Sequence, residues 1–169
     1  MTELTPSEKL QPCLLDRLTD DAPKKKSESR NQRVISLQRY REAVLRDLLW
    51  LLNTHANSEQ IGFDRFEEIP SSVLNFGVQN LAGMTFSNLQ IDDMRFLLTE
   101  ALQRFEPRIL PDTVSIGAAA DPDEMNHSRS LRFEIRGVLW SQPIPESLFI
   151  RTELDLETGK SRLKWGSSG

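Results

Sequence analysis

The chain is 169 residues long, 38% hydrophobic and 27% charged, the length of one ordinary domain with generous polar surface. Its formal net charge of −4 and pI near 5.3 give no basic footprint for nucleic acid. A single cysteine, Cys13, excludes an intrachain disulfide framework and a multi-cysteine zinc site, and suits a reducing cytoplasm.

In chain order, the first pattern is Leu10, Leu14 and Leu18, with Leu15 beside them, spaced along one helical face. Pro12 lies near its start, where a missing N–H costs little. Residues 21–33 lack apolar periodicity and carry Lys24-Lys25-Lys26 beside Asp20, Asp21 and Glu28, the composition of a solvated linker. A short leucine-faced helix on a tether cannot bury itself alone, so it docks on its own domain or on a partner. Residues 1–33 therefore read as helix plus linker, and 34–169 as one domain.

A second helix is expected from about Ser36 to Asn53. Leu37, Tyr40, Val44, Leu48, Leu51 and Leu52 form its stripe, widened by Leu45 and Leu49, with Arg39, Arg41, Glu42, Arg46 and Asp47 opposite. Pro70 and Gly77 bracket a short helix. A third runs to Phe105. Ser87 and Gln90 have capping-box spacing, Asp92 and Asp93 favour the N-terminal turn, and Met94, Leu98, Ala101, Leu102 and Phe105 follow at helical steps. Pro107 stops it by forcing Glu106 out of the helical region.

The period then changes to two. Thr113–Gly117 reads as a short strand, and a polar loop spans 118–129. Leu131, Phe133, Ile135 and Leu139 alternate with Arg132, Glu134 and Arg136, and Gly137 reads as a bulge. After Pro143 and Pro145, Leu148, Ile150, Thr152, Leu154 and Leu156 alternate with Arg151, Glu153 and Asp155. Glu157-Thr158-Gly159-Lys160 turns the chain, and 161–165 returns as the partner strand of a hairpin. Helices first and strands afterwards make an α+β fold: N-terminal helices, then a small, mostly antiparallel sheet ending in a hairpin. No run is long and apolar enough for a signal peptide or a bilayer span, so the expected setting is cytoplasmic, without membrane insertion.

Catalytic patterns are thin. The two histidines, His55 and His127, lie in polar, loop-like stretches with no second ligand at helical spacing, and the eight glycines form no phosphate loop. Cys13 on the apolar side of a short helix is better read as structural. Glu67/Glu68 and Asp92/Asp93 are adjacent acids that cannot flank one bond, so a glycosidase pair is not in evidence. No catalytic residue, metal or cofactor is expected. Glu106-Pro107-Arg108 is different. An extended segment projects residues two apart to one side, so Glu106 and Arg108 present a carboxylate and a guanidinium together. They form either an internal ion pair or a directional contact to another chain.

Several segments together resemble one family. They are Leu14-Leu15-Asp16-Arg17-Leu18, Arg46-Asp47-Leu48 with Leu51-Leu52-Asn53-Thr54, Ser72-Val73-Leu74-Asn75-Phe76-Gly77, Phe105-Glu106-Pro107-Arg108, Pro143-x-Pro145-Glu146, and Asp155-Leu156-Glu157-Thr158-Gly159. In order, they resemble the baseplate subunit TssE of type VI secretion systems, which is similar to the tail-wedge sheath initiator of contractile phages. Cys13 replaces a usual serine, Phe76 a tyrosine and Ile109 a leucine. The loop 118–129 carries no motif.

The resemblance implies a non-enzymatic, cytoplasmic adaptor in a baseplate docked at the inner-membrane complex. Its partners would be wedge subunits and the contractile sheath whose assembly it starts, with spike and hub proteins also within reach. Glu106, Pro107 and Arg108 would contact the wedge, Leu14 and Leu18 a further partner, and the hairpin 148–165 the sheath by β-augmentation. An old lysozyme label on the family makes peptidoglycan hydrolysis the competing expectation.

Overall fold

A computed structural model of the chain describes residues 13–19, 23–24, 35–57, 66–79, 91–118, 130–141 and 144–166. Leu10, Pro12, His127, the Ser87/Gln90 box, most of the 21–33 linker and the loop beyond 118 lie outside the described residues. Helix α1 is Leu14–Leu18, α2 is Leu37–Leu52 and α3 is Ile91–Phe105; strands β1 (Ser115–Ala118), β2 (Ser130–Leu139), β3 (Glu146–Asp155) and β4 (Ser161–Trp165) follow. The fold is α+β, with the strands forming an antiparallel four-stranded sheet in the order β1-β2-β3-β4.

Ser36 starts α2 by accepting a hydrogen bond from the Arg39 amide at 3.2 Å, satisfying one of the free N–H groups of the first turn. Tyr40, Ala43, Val44, Leu48, Leu51 and Leu52 are buried along one stripe. Leu37 and Leu49 are exposed instead. Leu49 falls outside the buried arc, and Leu37 sits on the first helical residue. Along α3, Met94, Leu98, Ala101 and Leu102 are buried, and the Glu106 amide makes a last helical bond to the Leu102 carbonyl at 2.9 Å before Pro107 ends the run.

The helices cover one face of the sheet, α2 packing over β4 and α3 over β1. That face carries Leu131, Phe133, Ile135 and Leu139 from β2 with Leu148, Ile150 and Leu154 from β3, all buried. Replacing any of these by alanine costs about 2–5 kcal/mol. The alternation read from the sequence thus sets the sheet's orientation, because a slip of one residue would turn the charged set inward.

Two local expectations change. Gly137 is not a bulge: pairing runs without interruption through Gly137↔Leu148 to Leu139↔Glu146. A Cβ there would lie 3.0 Å from Ile109 Cγ2, a tight contact that glycine avoids. Pro70 does not open a helix. It lies in a turn, and a 3-10 turn at Val73–Asn75 starts instead at Ser72, whose hydroxyl accepts from the Leu74 amide at 3.2 Å. Gly77 follows with φ +133°, where a Cβ would stand 2.4 Å from the Thr54 carbonyl oxygen. This close approach lets His55 and Val78 form a parallel bridge, tying the exit of α2 to the segment before α3.

Candidate functional site

Pro107 determines the geometry at the end of α3. The segment is not extended as the sequence suggests: Pro107 and Arg108 lie in a turn closed by the Ile109 amide donating to the Glu106 carbonyl at 3.1 Å, and within it the Glu106 side chain lies across Arg108. Arg108 Nε donates to Glu106 Oε1 at 2.6 Å, Nη2 to Oε2 at 2.5 Å, and the Arg108 amide to Oε1 at 3.2 Å. Paired charge-assisted bonds of this kind are the strong ones. The next residues leave along the sheet: the Leu110 amide donates to the Val138 carbonyl and the Trp140 amide to the Arg108 carbonyl, at 2.9 and 2.7 Å.

The pair is interior rather than displayed at the helix mouth. Glu106 is only 3% exposed; Arg108 is half-buried and Pro107 exposed. Arg108 Nη2 also donates to Asp47 Oδ2 on α2 at 2.7 Å. Burial works against the guanidinium charge, but hydrogen bonds and charge from Glu106 and Asp47 outweigh it and hold Arg108 protonated beyond its ordinary value. Nearby, Tyr40 donates to the Trp140 carbonyl at 2.8 Å, and burial pushes its phenol up.

From Asp47 the contacts continue outward. Arg46 Nε donates to Asp47 Oδ1 at 2.8 Å, and Arg46 Nη1 to Asp16 Oδ1 on α1 at 2.6 Å. Cys13 Sγ donates to Asp16 Oδ2 at 2.8 Å. The Arg46 guanidinium also lies 5.2 Å from the centroid of the Trp50 ring. Glu106, Arg108, Asp47, Arg46 and Asp16 therefore form one alternating line of charge from the end of α3, across α2, to α1. Burial of Asp16 disfavours its charge, but bonds from Cys13 and Arg46 and the Arg46 charge hold its carboxyl below the usual range.

Helix α1 is thus attached through a polar residue. It buries none of its side chains, and Leu14 and Leu18 are 69% and 73% exposed. The sequence-derived residues Glu106, Pro107, Arg108, Leu14 and Leu18 consequently lie at two ends of one ionic line, with the leucines open to solvent. Asp47, Arg46 and Asp16 were not identified as its middle. The available signal was that Arg46-Asp47 and Asp16 fall inside two of the ordered motifs.

The second candidate surface is the outer edge of β4. The Asp155 amide bonds the Lys160 carbonyl and the Gly166 amide the Phe149 carbonyl, both at 2.9 Å. These two contacts fix which β4 residues turn their main chain towards β3: Arg162 and Lys164 do, while Ser161, Leu163 and Trp165 turn theirs outward. Asn53 covers the first of the outward three. Its Nδ2 donates to the Ser161 carbonyl at 3.1 Å, and its Oδ1 accepts from the Ser161 amide at 2.9 Å. Among the described residues, the outward main-chain groups of Leu163 and Trp165 have no such partner.

Glu106 is buried, and both of its carboxylate oxygens accept hydrogen bonds from Arg108. Among the described residues, no group of His, Cys, Asp and Glu could hold a metal ion, and no helix is long and apolar enough to cross a membrane. What remains is a buried ionic tie, a leucine-bearing helix and an open strand edge.

No curated protein and no solved structure matches the chain. The family described as baseplate wedge protein gp25 matches residues 38–144, a span that holds α2 from its second residue, α3, the Glu-Pro-Arg turn, β1 and β2 and stops before β3. More than half of the chain lies within that match, with the helix-then-sheet fold around it, and the chain belongs to the baseplate wedge protein gp25 family.

Proposed function

We propose that this chain is the TssE-type subunit of a type VI secretion baseplate, a non-enzymatic adaptor in the cytoplasm that joins the wedge complex to the sheath and starts sheath assembly. Family membership supports a baseplate role in a phage-tail-like contractile system; the ordered motifs support the secretion-system assignment. The observation that carries the adaptor role is the β4 edge, closed at Ser161 and open at Leu163 and Trp165. An unpaired edge is a liability in an isolated protein and a template for a strand from another chain.

The wedge contact is assigned to the exposed Pro107 and the accessible side of Arg108, and a further partner contact to the leucines of α1. Glu106 acts from beneath by holding Arg108 in place. Spike and hub proteins are further neighbours in the same baseplate.

Reconstitution with purified wedge and sheath subunits tests this reading. The wild-type chain should co-purify with the wedge and seed sheath polymerisation. Leu163→Pro removes an outward N–H that β3 does not use, so that variant should fold, bind the wedge and fail to seed. Normal seeding by a folded Leu163→Pro protein would exclude strand addition at this edge. Release of sugar from peptidoglycan by the pure protein, lost in Glu106→Gln, would return the hydrolase reading.

A further inference from the structure

The face of the sheet turned away from the helices is basic, although the whole chain is acidic. In register, β2 presents Arg132, Glu134 and Arg136, β3 presents Phe149, Arg151, Glu153 and Asp155, and β4 presents Arg162 and Lys164. Most of these charges are answered within the sheet. Arg136 pairs with Glu134 at 2.8 Å, Arg151 with Glu134 at 3.6 Å, and Arg132 with Glu153 at 3.6 Å. Arg136 and Arg151 also stack on Phe149, at 5.2 and 5.7 Å from its ring centroid. Asp155 is engaged at the turn, where it accepts from the Glu157 and Thr158 amides.

The edge strand is where this balance fails. Lys164 stands directly opposite Arg151, and like charges directly opposite on one face of a sheet are destabilising. Arg162 stands opposite Glu153, which already answers Arg132 on its other side. Both β4 cations are exposed, and among the described residues neither has an ion-pair partner. On the opposite face of the same strand, Leu163 and Trp165 are half-buried and packed against the core. An arriving strand would therefore meet cations outward and apolar side chains inward, at alternate positions.

We propose that the strand accepted by β4 comes from a different protein and alternates acidic with apolar residues, acids beside Arg162 and Lys164 and apolar side chains beside Leu163 and Trp165. This rests on reading β4 as an acceptor edge and adds what it accepts. A second copy of the chain is a poor occupant. Pairing β4 with β4 would set Arg162 and Lys164 against the same residues of the copy, and charged side chains on an edge strand are one way edge strands avoid self-association. The Asn53 amide adds register, because its hold on Ser161 stops an added strand from sliding towards the turn.

The test uses two short blocked peptides, one alternating glutamate with valine and one alternating lysine with valine, added to the full-length protein. Binding is followed by hydrogen exchange at the Leu163 and Trp165 amides. The glutamate peptide should protect both amides and bind roughly tenfold more tightly than the lysine peptide at low salt, two cross-strand charge pairs changing from repulsive to attractive. The gap should narrow in high salt, and Arg162→Glu with Lys164→Glu should reverse it. If that double variant does not fold, Arg162→Gln with Lys164→Gln should abolish the preference instead. Equal protection by both peptides overturns the proposed selectivity but leaves the edge an acceptor. No protection by either peptide overturns the acceptor reading as well.

Discussion

The end of α3 and the edge of β4 handle polar groups in opposite ways. At the first, Glu106, Arg108, Asp47, Arg46 and Asp16 answer one another within the chain. At the second, Asn53 answers Ser161 and the next two outward positions are left open. A satisfied, partly buried network sets one local geometry, whereas an unsatisfied exposed edge leaves a bond to be made by another molecule. The first region should therefore respond to mutation through stability, and the second through partners.

The sharpest way to break this contrast is Arg108→Ala. An exposed pair would contribute about 0–1 kcal/mol, but Glu106 is buried and would be left without its partner, at a cost of about 3–5 kcal/mol. Urea denaturation should show that loss, and Glu106→Leu with Arg108→Leu should recover part of it by removing both charges. A loss of under about 1 kcal/mol would mean the pair is not an internal tie. Wedge binding should then be measured on a Pro107 variant that urea denaturation shows to keep wild-type stability, since Pro107 is exposed but also shapes the turn that carries the ionic line.

A smaller effect is expected at Asn53. Asn53→Ala removes both bonds to Ser161 and one to the Leu49 carbonyl, made at 2.8 Å. Ser161 is buried, and unsatisfied buried groups cost about 1–3 kcal/mol. The same substitution should raise hydrogen exchange at the Ser161 amide and allow an added peptide strand to slide past its wild-type limit. Unchanged exchange at Ser161 would mean that another group already covers that end of the edge.

How much of this could be read in advance depends on whether a signal is local. The strands were legible because alternation reports burial directly: every inward residue read from Leu131 to Leu156 is buried in the sheet or its turn. The end of α3 was legible because Pro107 acts on its immediate neighbour. Pairing of Glu106 with Arg108 was also local, two positions apart. Its burial was not, since that depends on how α2 lies across the segment and supplies Asp47. Asn53 read only as a helix exit, because its partner Ser161 lies 108 positions away. Gly137 misled for a related reason: its glycine answers Ile109 across a bridge between separate segments.

The smallest expected effect on the fold, and the test of where the ionic line ends, concerns Asp16. The Arg46–Asp16 pair is partly exposed, with side-chain accessibilities of 34% and 20%, so solvent screening limits it to about 1 kcal/mol or less. Helix α1 buries no side chain, and removing residues 1–30 should likewise leave the melting temperature nearly unchanged while weakening a partner contact through Leu14 and Leu18. The Asp16 carboxyl is held below its ordinary value of 3.8 when α1 is docked, so a proton binds the released form more readily. The contribution of this pair to docking is then fully present above about pH 4 and lost as pH falls through the lowered value. The Trp50 indole reports this, because Arg46 bridges it to Asp16. Its NMR signal should shift in acid while the β-sheet amides stay protected, and Asp16→Asn should give that shift at neutral pH. If Asp16→Asn or the truncation instead lowers the melting temperature as far as Arg108→Ala does, α1 belongs to the folded core and its leucines are not a partner surface.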